Sequence, residues 1–225
     1  MTAEKLKASR KQRRWNQQQL AERLEVSQAY VSLLERGHRR LPATLVSRLV
    51  SHLDLPPTAL PMRADPPLDS DRATRALGTL GYDGFAYLRD RHPANPGEVL
   101  LRTLGADHLD ARVVQSLTWL VRTYVDLDWD WVVSRAKQSD LQNRLGFVVA
   151  VARGLSEEEH NVRTTTVLRA LEARLESSRL QKQDAFSRRS MTTAEERWLQ
   201  EHSSPEAKHW NMLSTLSAST ARHGG

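Results

Sequence analysis

Four side chains in a short run, Gln28, Ala29, Ser32 and Leu33, have the chemistry and spacing needed to contact base edges in duplex DNA. The amide of Gln28 can donate and accept a hydrogen bond at once, which matches the major-groove edge of adenine. Ala29 and Leu33 offer apolar contact to a thymine methyl group, and Ser32 can bond to either base type. The alternative for Gln28 is a hydrogen bond to a backbone phosphate alone, which would carry no sequence information.

These side chains share one face only where the chain from Gln28 onward forms a helix, and the neighbouring residues favour one. Ser27 is of a type that caps helix N-termini by accepting a hydrogen bond from a free backbone N–H. Val31 and Leu34 turn towards a core together with Val26 and leave the polar side outward. The sequence therefore predicts a short amphipathic helix that carries the candidate base contacts.

A second short helix is predicted directly before this one. Asn16 can cap it, and Leu20, Ala21 and Leu24 form its apolar face. Ala21 is small, as is needed where one helix crosses another closely at a steep angle. The pattern therefore predicts two crossed helices joined by a tight turn.

Two stretches of this region, NQQQLA at residues 16–21 and VSQAYVSLLERG at residues 26–37, carry a resemblance to a known family. From Leu6 to Leu60, about a quarter of the chain, the sequence resembles the Cro and phage-repressor (xenobiotic-response-element) helix-turn-helix family. The resemblance implies an N-terminal five-helix, lambda-repressor-like DNA-binding domain. In that family the first stretch begins the second helix, and the second stretch is the recognition helix that enters the major groove.

The resemblance also implies roles for residues outside the base-contacting face. Gln17, at the start of the second helix, matches a phosphate contact that helix-end amides assist. Arg10 and Glu35 match a structural ion pair that ties the first helix to the third. Glu25 stands in the turn where the family usually has glycine with a positive φ, and a non-glycine residue there costs about 1 kcal/mol.

Positive charge is concentrated at and around the predicted recognition helix. We expect Arg36, His38, Arg39 and Arg40 to neutralise DNA phosphates, which sets affinity and register rather than sequence. The chain has 33 Lys/Arg and 27 Asp/Glu, of which eleven and five fall in residues 1–61, leaving 22 of each in the remainder. A basic module joined to a neutral one fits a phosphate-binding domain with a separate partner domain; the alternative is a solvated basic surface.

A cluster of prolines marks a boundary after the first domain: Pro56, Pro57, Pro61, Pro66 and Pro67. We predict a DNA-binding domain at 1–61 and a proline-rich linker at 62–75. A helical partner-binding and dimerisation domain is predicted at 76–216, followed by a disordered tail at 217–225.

Apolar residues recur at helical spacing along the second domain, with few of the alternating β-branched runs that are typical of β-strands. The clearest predicted helix follows Asp110, and another runs through Leu141 and Ala152. A longer helix is predicted to start near Ser156, where Glu159 completes a capping-box pattern. The whole chain is therefore predicted to be all-α.

Patterns that suggest a metal site or a catalytic site fail on their spacing. The aspartates at 126–130 alternate as in a calcium loop, but Trp131 and Lys137 occupy the positions of its glycine and glutamate. His160 has no second histidine at the spacing of a zinc-binding helix, and the chain contains no cysteine. We therefore expect no metal, no cofactor and no enzymatic activity.

The sequence also lacks the marks of a membrane or secreted protein. No apolar run approaches the roughly 18 residues that a spanning helix needs. The first residues are charged and helical in pattern rather than basic and then apolar, so no secretory signal is visible. We expect a cytoplasmic protein that makes no membrane contact.

The second domain is rich in tryptophan, a residue common both in cores and at interfaces. We expect Trp119 and Trp131 in the core, and Trp198 and Trp210, in polar surroundings, on a partner surface. Residues 117–152 also resemble two-domain helix-turn-helix antitoxins that are encoded beside abortive-infection nucleotidyltransferase toxins.

Three hypotheses about function follow. The first is an autorepressing antitoxin, a homodimer on an inverted-repeat operator, whose second domain neutralises a toxin, with a nucleotidyltransferase as one candidate. The second is a repressor whose helical second domain senses a small molecule. A buried cavity with a few polar groups would favour the ligand, and a broad exposed apolar and aromatic surface would favour the toxin. The third, a processing enzyme with a DNA-targeting head, has no sequence feature that calls for it.

Overall fold

The computed structural model describes residues 3–39, 41–53, 55–60, 62–63, 65–88, 94–187 and 190–221. The chain divides into two compact units, unit one at Met1–Arg63 and unit two at Ala64–Gly225. Within the described residues the regular structure is helical, apart from one isolated bridge between Asp184 and Met212. The prediction of an all-α chain is therefore confirmed.

The described part of unit one contains α1 (Ala3–Gln12), α2 (Gln17–Leu24), α3 (Gln28–Glu35), α4 (Ala43–Leu53) and a 3₁₀ turn at Pro57–Ala59. The fifth helix of the predicted fold is thus a single 3₁₀ turn. Pro56 and Leu60, which flank it, have extended backbones, and the three residues between them cannot form an α-helical turn. The helices α2 and α3 are the pair predicted to cross.

The core of unit one forms where the apolar faces of α2 and α3 meet. Leu20, Ala21 and Leu24 of α2 are buried together with Val31 and Leu34 of α3. Each buried leucine side chain contributes on the order of 1.5–3 kcal/mol to folding. The helices α1 and α4 complete this core with three further leucines: Leu6, Leu49 and Leu53.

The α-helices of unit two, within its described residues, are α5 (Ser70–Thr79), α6 (Pro96–Leu104), α7 (Ala111–Thr123), α8 (Trp129–Gln138), α9 (Gln142–Glu158), α10 (Val162–Glu176), α11 (Thr193–His202), α12 (Pro205–His209) and α13 (Ala218–Ala221). The helix α9 is central, because it is buried on all sides from Gln142 to Ala152 and packs against α7, α10 and α13. A helix that is apolar around its whole circumference must be enclosed by others, and here they are arranged around it.

The predicted helix start near Ser156 is wrong. Ser156 lies inside α9, and its hydroxyl donates to the carbonyl oxygen of Ala152 at 2.9 Å. The chain turns at His160, which has a φ of +57°, and Asn161 caps α10. The buried face of α9 continues through Leu155, so tertiary packing overrides the local capping pattern.

The predicted linker at 62–75 is wrong in its second half. Leu68 and Ala73 are buried in the core of unit two, and α5 already begins at Ser70. Pro61, one of the prolines that marked the boundary, lies outside the described residues. The prolines indicated a boundary correctly, but the apolar residues after them pack onto unit two.

The predicted disordered tail at 217–225 is also wrong for the residues that the structure describes. Ala218 and Ala221 of α13 are buried, and the side-chain amide of Gln115 donates to the carbonyl oxygen of Ala221 at 2.7 Å. Residues 222–225 lie outside the described part of the chain. Small apolar side chains are enough to hold this short helix against α9.

Trp210 is 0 % exposed, so its predicted place on a partner surface is wrong. Gly146 of α9 makes room for its ring, because a Cβ atom at this glycine would lie 2.4 Å from Cε3 of Trp210. Trp198, by contrast, is 52 % exposed. Trp119 and Trp131, predicted to lie in the core, are half-buried and pack against it.

A buried arginine fixes the segment that follows α10. Arg144 of α9 forms a bidentate ion pair with Asp184, with N–O distances of 2.7 and 3.1 Å. Its remaining N–H groups donate to the carbonyl oxygens of Leu104, Ala106 and Ala185 at 2.6 to 3.1 Å. The guanidinium donors are thereby satisfied, as a buried charge requires.

Candidate nucleic-acid interface

Side-chain caps fix the starts of α2 and α3. The Asn16 side chain accepts a hydrogen bond from the N–H of Gln19 at 2.7 Å, and the Gln19 side chain accepts one from the N–H of Asn16 at 2.9 Å. The Ser27 hydroxyl accepts from the N–H of Tyr30 at 3.2 Å. These caps satisfy donors that every helix start leaves free, and they set the residue at which α3 begins.

The turn between α2 and α3 is formed by Glu25, which has a left-handed backbone with φ +57° and ψ +43°. Its N–H bonds to the carbonyl oxygen of Glu22 at 3.2 Å, and the N–H of Val26 bonds to that of Ala21 at 3.0 Å. This pair of hydrogen bonds forms a Schellman cap. An exposed ion pair of 2.8 Å joins Glu25 to Arg48 and contributes at most about 1 kcal/mol.

The four residues predicted to contact bases lie on adjoining positions of one side of α3. Gln28 and Ala29 are exposed, and Ser32 and Leu33 are half-buried. The Ser32 hydroxyl accepts a hydrogen bond from Nη2 of Arg36 at 2.9 Å. The end of this face therefore presents a hydroxyl and a guanidinium side by side.

A continuous set of hydrogen bonds runs from the interior of unit one to Gln28. Arg10 and Glu35 form a buried bidentate pair, with distances of 2.6 Å from Nε to Oε1 and 3.0 Å from Nη2 to Oε2. The same Oε2 accepts from Nε2 of Gln17 at 2.9 Å. Oε1 of Gln17 in turn accepts from Nε2 of Gln28 at 2.8 Å. The exposed amide of Gln28 is thus linked through Gln17 to a buried charge pair.

The hydrogen bonds between Arg10, Glu35 and Gln17 stabilise the charged forms of Arg10 and Glu35. Burial raises the pKa of Glu35, but hydrogen bonds from Arg10 and Gln17, with the positive charges of Arg10 and Lys7, outweigh it and hold the pKa below 4.5. The hydrogen bond with Glu35 raises the pKa of Arg10. Glu35 therefore remains a carboxylate at neutral pH and can accept from both partners.

The basic residues predicted to contact phosphate follow the C-terminus of α3. Arg36, His38 and Arg39 are exposed, and the guanidinium of Arg39 lies 6.0 Å from the ring centroid of Tyr30. Arg40 lies outside the described residues. The three described side chains are open to solvent at the same end of the helix pair.

One cationic contact on α2 was not predicted from the sequence. The guanidinium of Arg23 lies 4.1 Å from the ring centroid of Trp15 and donates to the carbonyl oxygen of Gln19 at 3.0 Å. The only sequence signal is that Trp15 directly precedes the cap of α2 and Arg23 lies two turns further along. Arg23 adds an exposed positive charge to α2.

Two of the three aspartates that resembled a calcium loop have other partners. Asp128 caps α8 by accepting from the N–H of Trp131 at 3.1 Å, and Asp130 pairs with Arg174 at 2.8 Å. Among the described residues, no group of three His, Cys, Asp or Glu side chains is placed to hold a metal ion. No helix in the described part of the chain is both long and apolar enough to cross a membrane.

A basic helical unit with two capped, crossed helices and a polar outer face on the second is a DNA-binding helix-turn-helix unit. Comparison with known families agrees, because the helix-turn-helix family model matches residues 6–60. Unit one is therefore the DNA-binding domain of a transcriptional regulator. Comparison with curated proteins and with solved structures finds no match to the chain.

Proposed function

We propose that the protein is a sequence-specific transcriptional repressor that binds an inverted-repeat operator as a homodimer, with α3 in the major groove. Gln28, Ala29, Ser32 and Leu33 contact the bases. The observation that carries this proposal is the 2.8 Å hydrogen bond between Gln28 and Gln17. An exposed glutamine side chain normally samples many rotamers, and this one has a fixed partner.

The bond leaves Gln28 able to recognise a base. Its amide nitrogen has two donors and its oxygen can accept, so one donor and the acceptor remain after Gln17 has been bonded. One donor and one acceptor side by side are what the N7 and N6 edge of adenine requires. Fixing the amide before binding reduces the conformational entropy that is lost in the complex.

The exposed cations contribute affinity rather than sequence. Arg36, His38 and Arg39 follow α3, and we place the phosphates beside them, with Arg40 and Gln17 as further phosphate contacts. In a homodimer, two copies of α3 would enter successive major grooves about 34 Å apart. The operator would then show the twofold symmetry of the protein.

Selection of duplexes from a random pool by the full-length protein tests this proposal and identifies the operator in the same experiment. We expect enrichment of an inverted repeat with half-sites about one helical turn apart. Gln28→Ala should lose the preference at one base pair of each half-site, and Gln18→Ala, on the exposed side of α2, should select the wild-type motif. Enrichment of no common motif by the wild type would refute the proposal.

The toxin-neutralising role of unit two, predicted by resemblance, calls for a broad exposed apolar and aromatic surface. Among the described residues, the large hydrophobic side chains that are exposed are Tyr87, Val162 and Trp198. They belong to three different segments of unit two: the loop after α5, the start of α10, and α11. The toxin-neutralising role, with a nucleotidyltransferase or another toxin as the partner, therefore stays a prediction that rests on the resemblance alone.

A partly open cavity of about 330 Å³ supports the second role, in which unit two senses a small molecule. Its lining combines apolar side chains with a few hydroxyl groups, as ligand sites commonly do. We therefore propose unit two as a non-catalytic effector domain that alters DNA binding when a ligand occupies it. Leu199→Trp, which fills the cavity, should change operator affinity, and Gln200→Trp, exposed on the same helix, should leave it unchanged. Equal affinities would contradict this role.

A further inference from the structure

The cavity of about 330 Å³ lies wholly within unit two and has an apolar body. Val114 of α7, Phe186, Leu199 of α11 and Leu213 contribute large hydrophobic side chains to its walls. Phe186 and Leu213 each follow one residue of the isolated parallel bridge between Asp184 and Met212. That bridge is anchored through Asp184 to the buried Arg144, so one wall of the cavity is rigid.

The polar part of the lining consists of uncharged groups. These are the amide of Gln115, which donates to Ala221, and four hydroxyl-bearing residues: Ser187, Ser214, Thr215 and Thr220. No Asp, Glu, Lys, Arg or His is among the described residues that line this cavity. A buried charge without a partner costs several kcal/mol, so these walls suit a neutral ligand that can exchange a few hydrogen bonds with hydroxyl groups.

The helix α11, which lines the cavity through Leu199, is well formed but weakly embedded. A capping box fixes its start, with the Glu195 carboxylate accepting from the N–H and the hydroxyl of Thr192 at 2.7 and 2.8 Å. None of the residues of α11 is buried. Leu199 of this helix lines the cavity, as does Met191, which lies two residues before the helix begins. A helix that is stable locally and buries little apolar surface can move as a unit at a low cost in free energy.

A second cavity of about 310 Å³ adjoins the first across the same side chains. Ser187, Met191 and Leu199 line both. The second is also lined by Ser190, the exposed Trp198 and Glu195, whose carboxylate accepts hydrogen bonds from Thr192 and disfavours an anionic ligand. Methionine is flexible and adapts to irregular spaces, so the Met191 side chain, which lies between the two cavities, can move to connect them. Each cavity is at the lower end of the roughly 300–1,000 Å³ of ligand sites, and together they form an elongated space.

We infer that this space binds one uncharged, elongated and mainly apolar molecule, with α11 as the wall that moves to admit it. The inference rests on the ligand-sensing role proposed for unit two and adds to it the chemical class of the ligand. The ligand places its apolar body against Val114, Phe186 and Leu213, and its polar groups towards Ser214 and Thr215. Leu199 and Met191 shift to join the two cavities.

Two fluorescent probes with the same aromatic body test the inference on the full-length chain. N-phenyl-1-naphthylamine is neutral, and 1-anilinonaphthalene-8-sulfonate carries one negative charge on the same skeleton. We expect saturable binding of the neutral probe at one per chain, at least about tenfold tighter than binding of the sulfonate. Tighter binding of the sulfonate would overturn the inference.

Leu199→Trp should weaken binding of the neutral probe about tenfold, because the larger side chain occupies the space between the cavities. Gln200→Trp provides the matched control, with the same new side chain on the exposed side of α11, and should bind as the wild type does. Thr215→Trp fills the cavity from the opposite wall and serves if the first variant does not fold. Equal probe affinity in folded Leu199→Trp and Gln200→Trp would contradict the inference.

Probe binding is measured without DNA, so its outcome is separate from that of the DNA-binding proposal. Loss of sequence preference in the DNA selection would leave the cavity as a binding site, and failure of the probe to bind would leave DNA recognition intact. Operator affinity with and without saturating neutral probe then tests whether the cavity is coupled to unit one. An unchanged affinity would contradict the sensing role and leave the ligand class standing.

Discussion

The side-chain oxygen of Gln17 accepts a hydrogen bond of 2.8 Å from the side-chain nitrogen of Gln28, which joins the start of α2 to the outer face of α3. Gln17 is half-buried and also donates to Glu35 at 2.9 Å. The sequence predicted Gln17 as a phosphate contact and Gln28 as a base contact. Their bond suggests that the two functions depend on each other.

Removing Gln17 should therefore reduce sequence discrimination as well as affinity. We expect Gln17→Ala to weaken operator binding by about 1 kcal/mol or more, because Gln28 loses its fixed partner and a phosphate contact is lost. The preference for operator over a scrambled duplex should fall too. Gln18→Ala, which removes a neighbouring exposed amide bonded to Glu22, is the control. A uniform loss on both duplexes would show that Gln17 acts on phosphate alone.

Unit one should lose stability in acid through Glu35. The pKa of Glu35 in the folded chain lies below its ordinary value of 4.5, so its contribution is complete above that value. The contribution is lost as the pH falls from 4.5 through the lowered pKa, when the carboxyl takes up a proton and the ion pair with Arg10 breaks. Hydrogen–deuterium exchange of the α1 and α3 amides, corrected for intrinsic rates, measures this loss in the intact chain.

The matched variant for this prediction is Glu35→Gln, which keeps the shape of the side chain and removes its charge. It should destabilise unit one by about 3–5 kcal/mol at neutral pH, because Arg10 is left buried without its counter-charge. It should also flatten the acid dependence of α1 and α3. If wild type and variant lost protection over the same acid range, the pH dependence would belong to other groups.

The left-handed turn between α2 and α3 predicts a difference in stability between two variants of Glu25. Glu25 has a φ of +57°, and glycine adopts this conformation without the strain of a Cβ atom. Glu25→Gly should be more stable than Glu25→Ala by about 1 kcal/mol, since both variants lose the exposed ion pair with Arg48 and differ only in backbone strain. Thermal unfolding of the two variants measures the difference. An alanine variant as stable as the glycine variant would show that the turn relaxes.

Trp210 and Gly146 provide a test of the core of unit two. A Cβ atom at Gly146 would lie 2.4 Å from Trp210, so Gly146→Ala should destabilise unit two by at least about 1–3 kcal/mol. Gly154→Ala, on the same helix, meets Ala218 at 2.9 Å in a short terminal helix that can shift, and should cost less. Denaturant unfolding followed by tryptophan fluorescence compares the two. A larger loss for Gly154→Ala would contradict the packing described.

The parts of the fold that could be predicted are those with local signals. The helices α2 and α3 begin where Asn16 and Ser27 can cap them, and their apolar faces follow the helical period. The ion pair of Arg10 and Glu35 was expected from resemblance and is present in the structure. The hydrogen bond from Gln17 to Gln28 was not predicted, because it depends on the crossing geometry of two helices rather than on any local pattern.

The errors in unit two have a common physical cause. Trp210 lies in a polar stretch of sequence, and its burial depends on a notch at Gly146 in a distant helix. Ser156 carries a convincing capping pattern, yet it lies inside α9 as the last residue of that helix's buried face. Tertiary packing determines both features, and a local sequence pattern does not show which distant residues will pack together.

Fluorescence anisotropy on the selected operator tests whether α3 recognises the DNA sequence through Gln28. Wild type and Gln28→Ala are compared on operator and scrambled duplexes over a series of salt concentrations. We expect the variant to lose about 1–3 kcal/mol of preference for the operator while the dependence of affinity on salt is unchanged, because the phosphate contacts remain. An equal preference in both proteins, or a change in the salt dependence alone, would contradict it.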